Sequence, residues 1–172
     1  MTGLEETVFA PNNNIVRAQF AVILYRMAGS PDVTFKNTFA DVSDGQFYSK
    51  AVTWAAENGI VTGYTGSGLF GPNDQITREQ MAAMMFRYAN YTKHRDTSAR
   101  KNLDSFPDGN KVQEFAVDAV KWCVAEGIIS GKGEEPKILD PQGSTVRAEA
   151  ATIISRYTKP VIITPDVINE MN

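Results

Sequence analysis

Three arginines occupy corresponding places in this chain. Arg17, Arg78 and Arg147 each follow a proline by six residues and an apolar or aromatic residue by eight. The stretches run from Phe9 through Pro11 to Gln19, from Phe70 through Pro72 to Gln80, and from Leu139 through Pro141 to Glu149. A guanidinium stays charged and presents a planar fork that grips a carboxylate or phosphate through two hydrogen bonds. In the first turn of a helix it is joined by free N–H groups and a partial positive charge. The chemistry expected of such a site is anion recognition. Spacing alone leaves a second reading open: an ion pair with an acid of a neighbouring repeat, such as Asp41 or Asp108.

Other residues with useful chemistry recur around these arginines. Trp54 and Trp122 each offer either a flat face to a sugar ring or a core contact. Gly63 and Gly131 end short apolar connectors, and glycine lets a backbone approach a ligand closely. Tyr64 follows the first and Lys132 the second. Thr77 precedes Arg78 and can cap its helix, with Gln80 closing a capping box. Val16 and Val146 hold that place in the other copies, so Asn14 and Ser144 are the expected substitute caps. Arg26, Arg87 and Arg156 recur nine residues after each motif arginine. Those three read as structural or solvated.

These groups need helices to position them. Phe20, Ile23, Leu24 and Met27 follow Arg17 at helical spacing, as do Met81, Met84, Met85 and Tyr88 after Arg78. Ala150, Ile153, Ile154 and Tyr157 repeat the pattern after Arg147. A different helix precedes the second and third copies. Phe47, Tyr48, Ala51, Val52, Trp54 and Ala55 lead to Gly59, and Phe115, Ala116, Ala119, Val120, Trp122 and Cys123 lead to Gly127. Both glycines read as helix C-caps. The expected fold is all-α, with helices near 16–28, 45–58, 77–92, 112–126 and 146–157. Ser30–Asn37 and Lys93–Asn102 read as polar linkers, the second a basic surface run.

Composition narrows the function classes. The chain has 172 residues, is 42% hydrophobic and 22% charged, and carries a net charge of −3. No overall field draws it to nucleic acid or to an anionic membrane. No apolar run approaches the roughly 18 residues that span a bilayer. With a single cysteine, Cys123, an intrachain disulfide is impossible. A Cys–His nucleophile needs both groups together, but Cys123 falls on a core stripe and His94 in a linker. No phosphate loop or zinc spacing is present. The expectation is therefore no catalysis, no metal and no cofactor.

The repeated unit, with Phe39-Ala-Asp-Val42, Trp54-Ala-Ala-Glu-Asn-Gly-Ile60, Phe70-Gly-Pro72 and Ile76-Thr-Arg-Glu79, resembles the S-layer homology repeat of bacterial cell-surface proteins. The resemblance runs from Gly3 to about Lys159. It implies tandem helix-loop-helix repeats in a pseudo-threefold spindle. A partial first repeat spans 1–30, complete repeats span 37–93 and 104–159, and an extended tail covers 160–172. It implies grooves between repeats that bind a secondary cell-wall polysaccharide, often one bearing a pyruvate ketal carboxylate. Arg17, Arg78 and Arg147 become principal ligand contacts, with Thr77, Trp54, Trp122, Gly63, Tyr64, Gly131, Lys132, Asp41 and Asp108 as the further candidate ligand-binding residues. The expected partners are that polysaccharide and the rest of a longer exported protein at the cell surface, with no nucleic acid and no membrane insertion. The alternative is a structural or oligomerising repeat without glycan binding. Phe20, Ile23, Leu24 and Met27 should be covered by neighbouring repeats, helped by Val161–Ile163 of the tail.

Overall fold

The computed structural model describes residues 10–159. It contains α1 (Arg17–Met27), α2 (Ser49–Glu57), α3 (Arg78–Thr92), α4 (Val117–Ala125) and α5 (Arg147–Thr158). Short 3-10 turns at Gly109–Lys111 and Glu114–Ala116 lead into α4. Among the described residues there is no strand, only isolated β-bridges. No helix among them is long and apolar enough to cross a membrane. The helical reading holds, with one correction: α2 and α4 begin at Ser49 and Val117, later than the expected 45 and 112. Phe47 and Phe115, read as the first members of core stripes, lie in the turns ahead of these helices and are 70% and 51% exposed.

A ring of backbone hydrogen bonds ties the three arginine-led helices together. The Ile15 N–H donates to the Thr145 carbonyl, Thr145 N–H to Ile76, and Ile76 N–H to Ile15, at 3.0, 3.0 and 3.1 Å. Beyond the ring, each helix start is closed by the proline loop of another repeat. Arg17 and Ala18 donate their N–H groups to Asp74 and Pro72 carbonyls. Arg78 and Glu79 donate to Gly143 and Pro141, and Arg147 and Ala148 to Asn13 and Pro11. A helix start leaves such donors without intrahelical partners, and here the loops take them. This corrects two expectations. Asn14 and Ser144 are not needed as caps for α1 and α5, and these N–H groups are not free for an anion. Gln19, Gln80 and Glu149 each accept the N–H of their own N-cap residue.

The Trp-bearing helices fill the spaces between the arginine-led ones. α2 packs on α1 and α4 on α3. Trp54 lies against Tyr25, Tyr88 and Tyr91, and Trp122 against Phe86. Phe20 and Leu24 are fully buried and Ile23 and Met27 only partly so, so the neighbouring repeat covers part of the α1 stripe. Each such side chain contributes about 1.5–3 kcal/mol when withdrawn from water. Gly3 and the tail, including Val161–Ile163, lie outside the described residues. Among the described residues no helix packs on α5 as α2 and α4 pack on α1 and α3. Ala151 and Ile154 are only partly buried, whereas Ala21, Ala82, Leu24 and Met85 at the corresponding positions are fully buried.

Two small devices set the loops. Gly59 and Gly127 both sit at φ 66°. Ile60 N–H then reaches the Ala55 carbonyl and Ile128 N–H the Cys123 carbonyl, both at 2.8 Å, closing each helix in a Schellman manner. Gly63 has φ 67°, and a Cβ there would stand 2.6 Å from both the Leu69 carbonyl oxygen and the Phe39 ring. The aromatic residue of each Phe-x-Asp sequence therefore packs where a side chain at Gly63 or Gly131 would be.

Candidate functional site

The structure brings Arg17, Gly63 and Tyr64 together in one groove of about 410 Å³. Gln80 and Arg87 of α3 form its far wall, and Gln113 and Phe115 from the following repeat close it. Arg78, Gly131 and Lys132 meet in a second groove of about 220 Å³, with Glu149 and Arg156 of α5 opposite. The groove plan follows from helix geometry. Nine residues along a helix is 2.5 turns, so Arg78 and Arg87 leave α3 on opposite sides. Each groove thus takes the first arginine of one helix and the second arginine of the next: Arg17 with Arg87, and Arg78 with Arg156.

Arg17 is only 6% exposed. Its Nε donates to the Phe70 carbonyl at 2.7 Å, and its guanidinium carbon lies 4.6 Å from the Tyr64 ring centre and 4.9 Å from that of Phe70. Among the described residues no carboxylate comes within 4.0 Å of it. Burial pushes its pKa down, while Asp74 and Asp41 at longer range pull it back up. A charge taken out of water without a close partner is costly, by several kcal/mol. Arg87, across the groove, also has its pKa lowered by burial. The Tyr64 hydroxyl donates to Asp74 Oδ2 at 2.7 Å, and burial and this bond keep it protonated.

Arg78 is equally buried but fully engaged. Its Nε donates to the Leu139 carbonyl at 2.7 Å and its Nη2 to that of Ser130 at 3.1 Å. Its Nη1 lies 3.7 Å from Glu149. Burial lowers its pKa, and Glu149 is the leading charge that raises it. Arg147 is also 6% exposed, at the start of α5. The first repeat's counterpart of Gly63 and Tyr64, near Gly3, lies outside the described residues.

Asp41 and Asp108 line neither groove. Asp41 accepts the N–H groups of Phe70 and Gly71 at 2.8 and 2.7 Å, and Asp108 those of Leu139 and Asp140, both at 2.8 Å. The carboxylate fixes the loop, and the loop carbonyl fixes the arginine. Neither Arg17 with Asp41 nor Arg78 with Asp108 pairs within 4.0 Å, but the alternative of a neighbouring repeat's acid is met for Arg78 by Glu149 at 3.7 Å. Thr77 caps α3 by accepting the Gln80 N–H. Trp54 and Trp122 are 3% and 0% exposed. The sugar-platform reading of both is corrected, because their faces are spent on the core.

Several groove residues were missed by sequence reasoning. Arg87 and Arg156, structural or solvated on the sequence alone, each line a groove, and their nine-residue recurrence is the available signal. Phe115, a core-stripe residue by its spacing, is instead the aromatic wall of the first groove. Arg95, read as part of a surface basic run, is a helix cap. It donates to the carbonyls of Tyr157 and Lys159 at the end of α5 and pairs with Glu126 at 3.1 Å. Cys123 is fully buried with its thiol pKa pushed up, and His94 is exposed. No cluster of metal-ligating side chains occurs among the described residues.

Comparison with known proteins agrees with this anatomy. The S-layer homology domain model matches residues 38–82 and 105–151, which is the body of each complete repeat and over half of the chain. The chain belongs to the S-layer homology domain family. It is 32% identical over 88% of its length to an amylopullulanase of Thermoanaerobacterium thermosulfurigenes, covering 8% of that protein. It is 29% identical over 91% of its length to a cellulosome-anchoring protein of Acetivibrio thermocellus, covering 34% of it. The surface-layer 125 kDa protein of Lysinibacillus sphaericus is 29% identical over 92% of the chain, which covers 13% of it. The chain thus spans well under two thirds of each of these relatives.

Proposed function

We propose that this chain is a non-catalytic anchoring module that holds an exported protein to the bacterial cell surface by gripping an anionic wall polysaccharide. The observation that carries this reading is Arg17, buried and without a carboxylate within 4.0 Å among the described residues, in a groove with a second arginine and an exposed aromatic ring. A carboxylate on the sugar would supply the missing counter-charge through the guanidinium fork. Phe115 would carry the apolar face of the ring. A pyruvate ketal fits this chemistry, because it sets a carboxylate on a rigid, otherwise neutral sugar. A purely structural repeat accounts for the bond from Arg17 to the Phe70 carbonyl but leaves its buried charge without a carboxylate within 4.0 Å among the described residues.

The hydrogen-bonded ring of Ile15, Ile76 and Thr145 supports a pseudo-threefold spindle. The partial cover on α5 supports a first repeat whose Trp-bearing helix is not among the described residues. Names among the relatives that combine surface anchoring with polysaccharide-degrading enzymes support a module within a longer protein. The test is co-sedimentation with purified wall sacculi, before and after chemical removal of their secondary polymer. Retention on intact walls alone is expected. Retention unaffected by stripping, or none on either preparation, would refute the proposal.

A further inference from the structure

The two grooves share one plan but differ in how their charges are settled. Tyr64 of the first corresponds to Lys132 of the second, and Gln80 to Glu149. The loop acid also changes places. Asp74 follows Gly71 in one repeat, whereas Asp140 precedes Gly143 in the other. Asp140 takes the left-handed position, φ 53°, that Gly71 holds at 71°. A Cβ at Gly71 would run into Asp74, and one at Gly143 into Asp140, so each acid crosses the turn toward the other position.

These exchanges change the electrostatics. In the first groove a neutral hydroxyl satisfies Asp74. In the second, Lys132 Nζ lies 3.2 Å from Asp140 Oδ2 and 3.0 Å from Glu149 Oε1, and the same Glu149 oxygen lies 3.7 Å from Arg78. An incoming carboxylate would have to displace Glu149 or sit beside its like charge. The second groove is also about half the volume, and among its lining residues there is no aromatic wall like Phe115.

We infer that Glu149, held by Lys132, is a specificity-determining residue that closes the second groove to the anionic sugar, leaving the first groove as the binding one of the two. This rests on the groove-binding reading above. The substitution Glu149→Gln should preserve the fold, since Gln19 and Gln80 already accept the N-cap N–H at 3.2 Å in α1 and α3, as Glu149 does at 3.3 Å in α5.

The test is a ¹⁵N-resolved NMR titration of the full chain with a methyl glucoside carrying a 4,6-pyruvate ketal, and with its methyl ester as the uncharged control. In the native protein the acid should shift the amides of Gly63 and Tyr64 and leave Gly131 and Lys132 unmoved. In a Glu149→Gln, Lys132→Tyr variant, Gly131 should also respond, with at least a tenfold gain in affinity at that groove. Equal shifts at both grooves in the native protein would overturn the inference and leave the groove-binding reading standing. So would a folded double variant whose second groove stays silent. Shifts at neither groove in the native protein would remove the reading and the inference together.

Discussion

Thr145 tests the packing at the centre of the ring. Its backbone belongs to the ring with Ile15 and Ile76, and its side chain stands where those two carry isoleucine. It is 0% exposed, and its hydroxyl has no hydrogen-bond partner among the described residues. A buried hydroxyl without a partner costs about 1–3 kcal/mol. Valine keeps the shape and removes the oxygen, so Thr145→Val should stabilise the fold by about 1–2 kcal/mol. In a domain of this size 1 kcal/mol moves the melting midpoint by about 2–4 °C, which gives a rise of roughly 2–8 °C. Thermal and urea melts measure it, and an unchanged urea slope would confirm that only stability has moved. Thr145→Ser, which keeps the hydroxyl and loses the methyl, should lower stability by about 1 kcal/mol. A valine variant that melts at or below the parent would refute the reasoning, because the hydroxyl would then have a partner worth keeping.

Further outcomes follow from particular contacts. Gly63→Ala should destabilise the protein by about 2–3 kcal/mol, since it adds a clash with Phe39 and Leu69 to the left-handed strain. Gly66→Ala, with φ 74° and nothing within 4 Å, should cost only about 1 kcal/mol. Equal losses in denaturant melts would dismiss the Phe39 contact. Arg95→Ala should cost about 2–3 kcal/mol through its charged hydrogen bonds to the end of α5, against within about 0.5 for exposed Lys101→Ala. Burial raises the Tyr88 pKa from 10.0 to about 12. Its contribution is therefore intact below pH 10 and is lost as pH rises toward 12. Tyr88→Phe should flatten that alkaline decline, and an unchanged slope in pH-dependent melts would reassign it.

The arginine-led helices were legible because three copies of one apolar period stand in register behind the same proline and arginine. The order of repeats followed from the Phe-x-Asp and Gly landmarks. What could not be read was the partner of each surface. Phe47 and Phe115 look like stripe residues because they precede Ala at helical spacing, yet each helix starts two residues after its phenylalanine. The role of Asp41 and Asp108 depends on a loop about 30 residues away folding back onto their carboxylates. The N–H groups at the helix starts look free in one repeat and are consumed only when another repeat's proline loop arrives. Groove membership is the clearest case. Arg17 and Arg87 come from different repeats, and only the half-turn geometry of α3 brings the second toward the first.

The measurement that bears most directly on the central claim is the affinity of Arg17→Ala for isolated secondary wall polymer, by calorimetry, with the melting curve as a control for folding. Loss of a hydrogen-bonded counter-ion should weaken binding by about 1.5–3 kcal/mol, roughly tenfold to 150-fold. Phe115→Ala should weaken it less, and Arg78→Ala least of the three. A folded Arg17→Ala protein that binds the polymer as tightly as the parent would contradict the account.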